Sequence, residues 1–377
     1  MLHYITAAIA AAGLGTAAWA QNAPAEFAPA AAEALETYPS AGVAMVRIVD
    51  GEIAWEGYAG EQGPGVPANA STLFNTASIA KTLTAELVLR LAEAGHLSLH
   101  EPVSSEYVHP DLAGDPRHEQ LTPAILLSHQ AGLRNWPYVY DDGKLAFIQD
   151  PGAGFTYSGI GYEILAEFAA RRMDADYATL VRDWVLVPEG VAEDAYLGAG
   201  GAPAERRAVP MDSDGAYAES RPWEMTPSAA DNLFVTAPAY ARLIVAMLEG
   251  HPLPGELAGA RQTPVVDTSS HAPCALEDAA ECPIEVGQSL GWSVSRFADA
   301  HYVFHGGSDW GENAIAVYDL ESRDGWVIFV NGGNGMGVWL DLAQALAPDE
   351  VYFRLIRALP QVQGALAEMA ETEVVAE

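Results

Sequence analysis

The distribution of strand signals constrains this chain more than any other feature. Residues 43–49 alternate and are rich in β-branched side chains, Asp50-Gly51 is a strong two-residue turn signal, and residues 52–59 alternate again with Trp55 and Tyr58. This pattern predicts a β-hairpin. Two strands alone make a poor sheet, because stability in water needs three or more strands with a covered face. The next strand-like stretches come only at 290–295, 301–305, 314–320 and 326–331, with a turn expected at Asp324-Gly325. The two ends of the chain must therefore share one antiparallel sheet.

Between them the periodicity is helical. Residues 76–94 carry helix formers, apolar positions at Leu83, Leu87 and Leu91, and a Glu86–Arg90 pair one turn apart, and Gly95 ends the run. From about 100 to 280, helical segments at 121–128, 160–172, 175–186 and 236–249 are broken by Pro/Gly loops. Helices are expected again at 338–346 and 349–359, and the last dozen residues, with Glu368, Glu371, Glu373 and Glu377, read as frayed. The expected class is α/β (α+β). An α/β domain with an antiparallel sheet spans 21–99 and 284–377, and a mostly helical domain spans 100–283.

The chain has 377 residues, with 51 acidic against 18 basic side chains and a formal charge of −33. Such a balance excludes a basic nucleic-acid binder, and because the charges are not gathered in runs they read as a solvated surface. Half of the residues are hydrophobic, enough for a core. Residues 5–20 are apolar and end in Ala18-Trp19-Ala20, which predicts a secretory signal peptide over 1–20, although no Lys or Arg precedes the run. No later segment has about 18 uncharged apolar residues, so the expectation is an exported protein, periplasmic or secreted, with no membrane span after signal removal. In that setting Cys274 and Cys282, the only cysteines, are expected to form a disulfide. So short a ring is worth about 2–3 kcal/mol and staples a loop rather than the fold. A metal site using His271 with both thiols lacks a fourth ligand nearby.

The chemistry centres on Ser78-Ile79-Ala80-Lys81 at the start of the first long helix. The three-residue spacing puts both side chains on one face, so the lysine nitrogen can reach the serine oxygen. A hydroxyl is a weak nucleophile until a neighbouring base takes its proton, and a helix N-terminus favours developing negative charge. Only two lysines occur in the chain, Lys81 and Lys144, which gives the match more weight.

Further segments accompany it in order. Phe74-Asn75-Thr76-Ala77-Ser78-Ile79-Ala80-Lys81-Thr82 is followed by Leu126-Leu127-Ser128-His129-Gln130-Ala131-Gly132-Leu133. Then come Pro151-Gly152, Phe155, Tyr157-Ser158-Gly159 and Gly161-Tyr162, and finally Leu290-Gly291-Trp292 with His305-Gly306-Gly307. Together these resemble the penicillin-recognising serine enzymes: class C β-lactamases, D-alanyl-D-alanine peptidases and related serine esterases. The resemblance implies a β-lactamase/transpeptidase-like fold, Ser78 as acyl-accepting nucleophile, and Lys81 with Tyr157 as the proton-handling pair. It leaves open which of the two is the base, since a phenol near pKa 10 needs an adjacent ammonium to act as phenolate. It also implies that His305-Gly306-Gly307 lines the site, with the backbone N–H groups of Ser78 and Ser308 as oxyanion hole, each worth about 3–4 kcal/mol. His129 reads as structural, capping a backbone group.

Two departures bear on substrate. His305 stands where β-lactamases carry a lysine, and Gly159 stands where they carry an asparagine. Loss of a fixed cation and an amide argues against efficient β-lactam hydrolysis, while a protonated His305 would return a pH-dependent charge near pKa 6.5. The expected function is an exported serine hydrolase of an ester, amide or peptide, with no metal or organic cofactor. The alternatives are a catalytically silent binding or sensing protein and a true class C-type β-lactamase.

Overall fold

The computed structural model describes residues 19–271 and 273–371. The expected signal peptide falls, apart from Trp19 and Ala20, outside the described residues. Among these, ten strands form one antiparallel sheet. Its order is Trp19–Gln21, Glu52–Gly63, Gly42–Val49, Asp324–Val330, Glu312–Asp319, His301–Asp309, Ser293–Arg296, Glu285–Gln288 and Val266–Asp267, with Val66–Pro67 paired to Glu52–Gly63 off that path. The hairpin forms as expected, with Asp50 and Gly51 both at positive φ. Its inner strand pairs with Asp324–Val330 through Arg47↔Trp326 and Val43↔Val330, so the two ends of the chain do share the sheet.

Period-two alternation divides the core. Ala44, Val46, Ile48, Val327 and Phe329 face one cluster, which contains the Ala80–Glu93 helix. Val43, Met45, Ile328 and Val330 face a second, built from the Phe27–Thr37, Gly335–Leu346 and Val351–Ala358 helices. Covering both faces makes the central strands almost wholly buried, whereas alternation alone suggests a half-exposed strand.

Helix Ala80–Glu93 is buried on nearly every side, and its Leu83, Leu87 and Leu91, each fully buried, contribute about 1.5–3 kcal/mol apiece. The one carboxylate at its centre, Glu86, is paired. It accepts from Arg90 Nε at 2.6 Å and from Arg261 at 2.8 and 3.0 Å, and Arg90 also reaches Glu189 at 2.6 Å. Such pairing is what makes buried charge tolerable. A three-stranded sheet of Phe74–Asn75, Leu233–Val235 and Ala195–Leu197 ties the lead-in of this helix to the middle of the chain.

Several expectations are corrected. The turn between the last two strands is Leu320 to Arg323, not Asp324-Gly325. Asp319 closes that loop by accepting from the N–H of Glu321 and the hydroxyl of Ser322, Arg323 takes the left-handed conformation, and Asp324 pairs with Arg47. Of the last dozen residues expected to fray, those up to Glu371 are helical, while Glu373 and Glu377 lie outside the described residues. Pro360–Glu371 is a helix whose Val362 and Leu366 bury into the second cluster. Helix Phe27–Thr37 was not anticipated. Cys274 and Cys282 are disulfide-bonded, as expected. Among the described residues no helix is long and apolar enough to cross a membrane.

Gly291 shows how closely the sheet approaches the buried helix. Its φ is +93°, and a Cβ there would lie 2.1 Å from the Cβ of Ala85. Gly65 has a similar φ of +73° with nothing within 4 Å. Gly65→Ala should therefore cost only the left-handed strain, about 1–2 kcal/mol. Gly291→Ala should add an overpacking cost of about 1–3 kcal/mol to the same strain. Equal losses in denaturant unfolding would contradict this packing.

Candidate active site

Ser78 lies in a one-turn 3-10 segment, Ala77–Ile79, that runs straight into helix Ala80–Glu93. The turn is strained, because Ala77 has φ of 46°, a left-handed value that costs a residue with a Cβ about 1–2 kcal/mol. Neighbours hold it there. Ala77 N–H donates to Asn75 Oδ1 at 3.2 Å, Asn75 Nδ2 donates to Glu312 Oε1 at 3.0 Å, and Thr76 N–H donates to Leu233 O at 2.9 Å. Strand His301–Asp309 closes the other side. A Cβ on Gly307 would sit 2.0 Å from Thr76 O and 3.1 Å from Ser78 N, so only glycine lets the strand pass.

Lys81 has no solvent exposure. Its Nζ donates to Ser78 Oγ at 2.9 Å and to Ala230 O at 2.7 Å. The same nitrogen lies 4.9 Å from the centre of the Tyr157 ring and 5.9 Å from that of Tyr162. Tyr157, far from Ser78 and Lys81 in sequence, thus meets them in one place.

His129 holds Tyr157. Its carbonyl accepts from Thr156 N–H at 2.7 Å, its Nδ1 accepts from Ser158 N–H at 3.1 Å, and its ring stacks on Tyr157 with centroids 4.3 Å apart. Burial, then Lys81, then His305 keep His129 well below the ordinary histidine pKa. An accepting Nδ1 places the proton on Nε2. That Nε2 is buried without a hydrogen-bond partner. The backbone-capping role expected for His129 fits this geometry. Ser158 then caps helix Gly159–Met173 by accepting from Gly161 N–H.

His305 corrects an expectation. It is 5% exposed, its Nδ1 lies 2.7 Å from Gly306 O, and burial followed by Lys81 pushes its pKa down to about 3. The imidazole is therefore neutral near pH 7, with its proton on Nδ1 and an acceptor at Nε2. It supplies no charge near pH 6.5. Gly306 and Ser308 are exposed and Gly307 is buried, and Ser308 Oγ is engaged by Asn313 Nδ2 at 3.1 Å.

Sequence reasoning missed several groups around Lys81. Ala230 acts through its carbonyl, which leaves no side-chain signature. Asp231 beside it is pushed up to about 6, chiefly by burial, with Asp309 and Glu224 adding to the rise. Glu163 is partly buried and hydrogen-bonded to the 228–230 turn. A charged residue among buried Ile160, Tyr162, Ile164 and Leu165 is a signal the sequence did carry. Among the described residues no three or more His, Cys, Asp or Glu side chains are grouped to hold a metal ion.

The state of His305 makes a prediction with a definite sign. A histidine whose folded pKa lies below its unfolded value contributes stability that is complete above about pH 6.5 and lost as pH falls towards about 3. Between those limits the unfolded chain binds the extra proton. His305→Gln should therefore lessen the slope of unfolding free energy against pH by up to about 1.4 kcal/mol per pH unit in that window. An unchanged slope would show that His305 is not held neutral.

The chain is 29% identical over 146 residues to penicillin-binding protein 4* of Bacillus subtilis (strain 168), covering 34% of this chain and 31% of that one. It thus spans about a third of that curated relative's length. Among solved structures, the octameric penicillin-binding protein homologue from Pyrococcus abyssi superposes with a TM-score of 0.68 at 19% identity, covering 88% of this chain and 78% of the other. D-alanine carboxypeptidase AmpC from Burkholderia cenocepacia superposes with a TM-score of 0.64 at 20% identity, covering 86% and 98%. Both share the fold. The model of the beta-lactamase family matches residues 27–348, and the chain belongs to that family.

Proposed function

We propose that this protein is a serine hydrolase that works through an acyl-enzyme on Ser78. One observation carries the proposal: a fully buried lysine, Lys81, donates to Ser78 Oγ at 2.9 Å from the same helix face. In the acylation half, Ser78 Oγ attacks the substrate carbonyl carbon and its proton passes to the Lys81–Tyr157 pair. The tetrahedral oxyanion then collapses, the bond to the leaving group breaks, and that group departs with the proton. In the second half, water attacks the acyl carbon with the same pair as base, releasing the acid and restoring Ser78. Backbone N–H groups of Ser78 and Ser308 serve the oxyanion, an arrangement supported by the tight packing of Gly307 on the nucleophile turn.

The substrate is a small ester, amide or peptide. His305 is neutral and Gly159 has no side chain, so neither position offers the fixed cation or amide suited to a carboxylated β-lactam. Asp231, which interacts with Lys81, adds negative potential there that further disfavours anions. Esters are the better substrates on this reading. The name of the Burkholderia structural neighbour supports peptides ending in D-alanine as the second class. Export is part of the proposal, supported by the Cys274–Cys282 disulfide and the signal-like residues 1–20. We assign the site of Ser78, Lys81 and Tyr157 to the junction of a sheet domain, 21–99 with 284–377, and a helical domain, 100–283. The chemistry described needs no metal or organic cofactor.

Short-chain nitrophenyl esters, a D-alanyl-D-alanine peptide and a chromogenic cephalosporin should be assayed side by side. The expected order is ester first, with the cephalosporin slow. Ser78→Ala should lower kcat/KM for the best substrate by at least about 10³-fold. Wild-type rates in that variant would refute the assignment of the nucleophile.

A further inference from the structure

We infer that Glu163 and Ser228 form a positioning pair that sets Lys81 through the backbone of Ala230. The inference rests on the reading of Ser78 and Lys81 as the acyl-transfer centre. Lys81 Nζ donates to two oxygens, Ser78 Oγ and Ala230 O. A carbonyl fixes a lysine only as well as the backbone leading to it is fixed. Ala230 N–H donates to Ser228 Oγ at 3.2 Å, and the Ser228 hydroxyl donates in a short hydrogen bond to Glu163 Oε1. Ala229 N–H donates to that same oxygen at 3.0 Å. Two sets of hydrogen bonds, joined by the backbone of the single residue Ala230, thus connect the Glu163 carboxylate to the Lys81 nitrogen.

The placement of these groups favours orientation over mere packing. Glu163 projects from helix Gly159–Met173, the helix that begins two residues after Tyr157. Glu163 thus ties this helix to the turn whose Ala230 carbonyl accepts from the lysine. The opposite side of the 228–230 turn is held by the nucleophile helix. Thr84 Oγ1 donates to Ala229 O at 2.5 Å and lies 2.6 Å from the Tyr177 hydroxyl. The turn is therefore clamped between the helix that carries Ser78 and Lys81 and the helix that follows Tyr157. A buried carboxylate is expensive unless its oxygens are engaged. Burial raises the Glu163 pKa, while Ser228, Ala229 and the charge of Lys81 pull it back.

A fluorophosphonate reacts by attack of Ser78 Oγ on phosphorus with loss of fluoride, so its first-order step reports nucleophile activation separately from probe binding. Intact mass measured against time should show Glu163→Ala and Ser228→Ala slowing that step about 10–100-fold with the half-saturating probe concentration nearly unchanged, since displacements of about 1 Å cost on this order. Glu163→Gln keeps an oxygen that can accept from both Ser228 and Ala229, and it should stay within about 3-fold of wild type. Kinetic parameters for an ester should split the same way, with kcat lowered and KM held. Folded alanine variants that react at the wild-type rate would overturn the pair, as would a Glu163→Gln variant as slow as Glu163→Ala, which would assign the effect to charge. Should Glu163→Ala not fold, Ser228→Ala decides by the same criteria. A wild-type protein that forms no Ser78 adduct would instead remove the acyl-transfer reading beneath the pair.

Discussion

The hydrogen bond from buried Lys81 to Ser78 is the interaction around which the site is organised. Removing a lysine from water is costly unless its donors are engaged and its surroundings are polarisable. Here two oxygens accept from Nζ, and the faces of Tyr157 and Tyr162 lie against it. Ser78 is a near neighbour in sequence, but Ala230 and the two tyrosines come from distant parts of the chain, so the lysine is fully satisfied only in the folded protein. The strained Ala77, the close passage of Gly307 and the clamp on the 228–230 turn are consequences of the same requirement.

The electrostatics of the site differ from those of the whole molecule. A net charge of −33 is spread over the surface and is screened over about 8 Å at 0.15 M salt. Inside, burial decides. His129 and His305 are both held below the ordinary histidine pKa by desolvation first and by Lys81 second, while burial lifts the carboxyl of Asp231. Desolvation thus favours the neutral form of each of these three groups around one buried lysine.

Much of this was legible in the residues themselves. The Asp50-Gly51 turn and the gap before the next strands required a sheet closed by distant segments, and Ser78, Lys81, Tyr157 and His305 stood out in short motifs. What was not legible depends on three-dimensional burial. The protonation of His305 follows from its surroundings rather than its identity, and the Ala230 carbonyl belongs to a residue with no distinguishing side chain. Helix Phe27–Thr37 escaped because FAPAAAEALET is alanine-rich, with an apolar stripe weakly marked by size. The Leu320 to Arg323 turn escaped because Asp324-Gly325 is a turn signal in isolation, yet Asp324 is needed by Arg47 across the sheet. Local propensity yields to tertiary partners in such places.

The account stands on one covalent event, and the most direct test is to catch it. A nitrophenyl ester mixed with the protein and quenched in acid within milliseconds should yield a protein whose mass has increased by one acyl group. Peptide mapping should place that group on Ser78, and its amount should match the burst of nitrophenol. Turnover with no acyl-protein, or with the acyl group on another residue, would contradict the account.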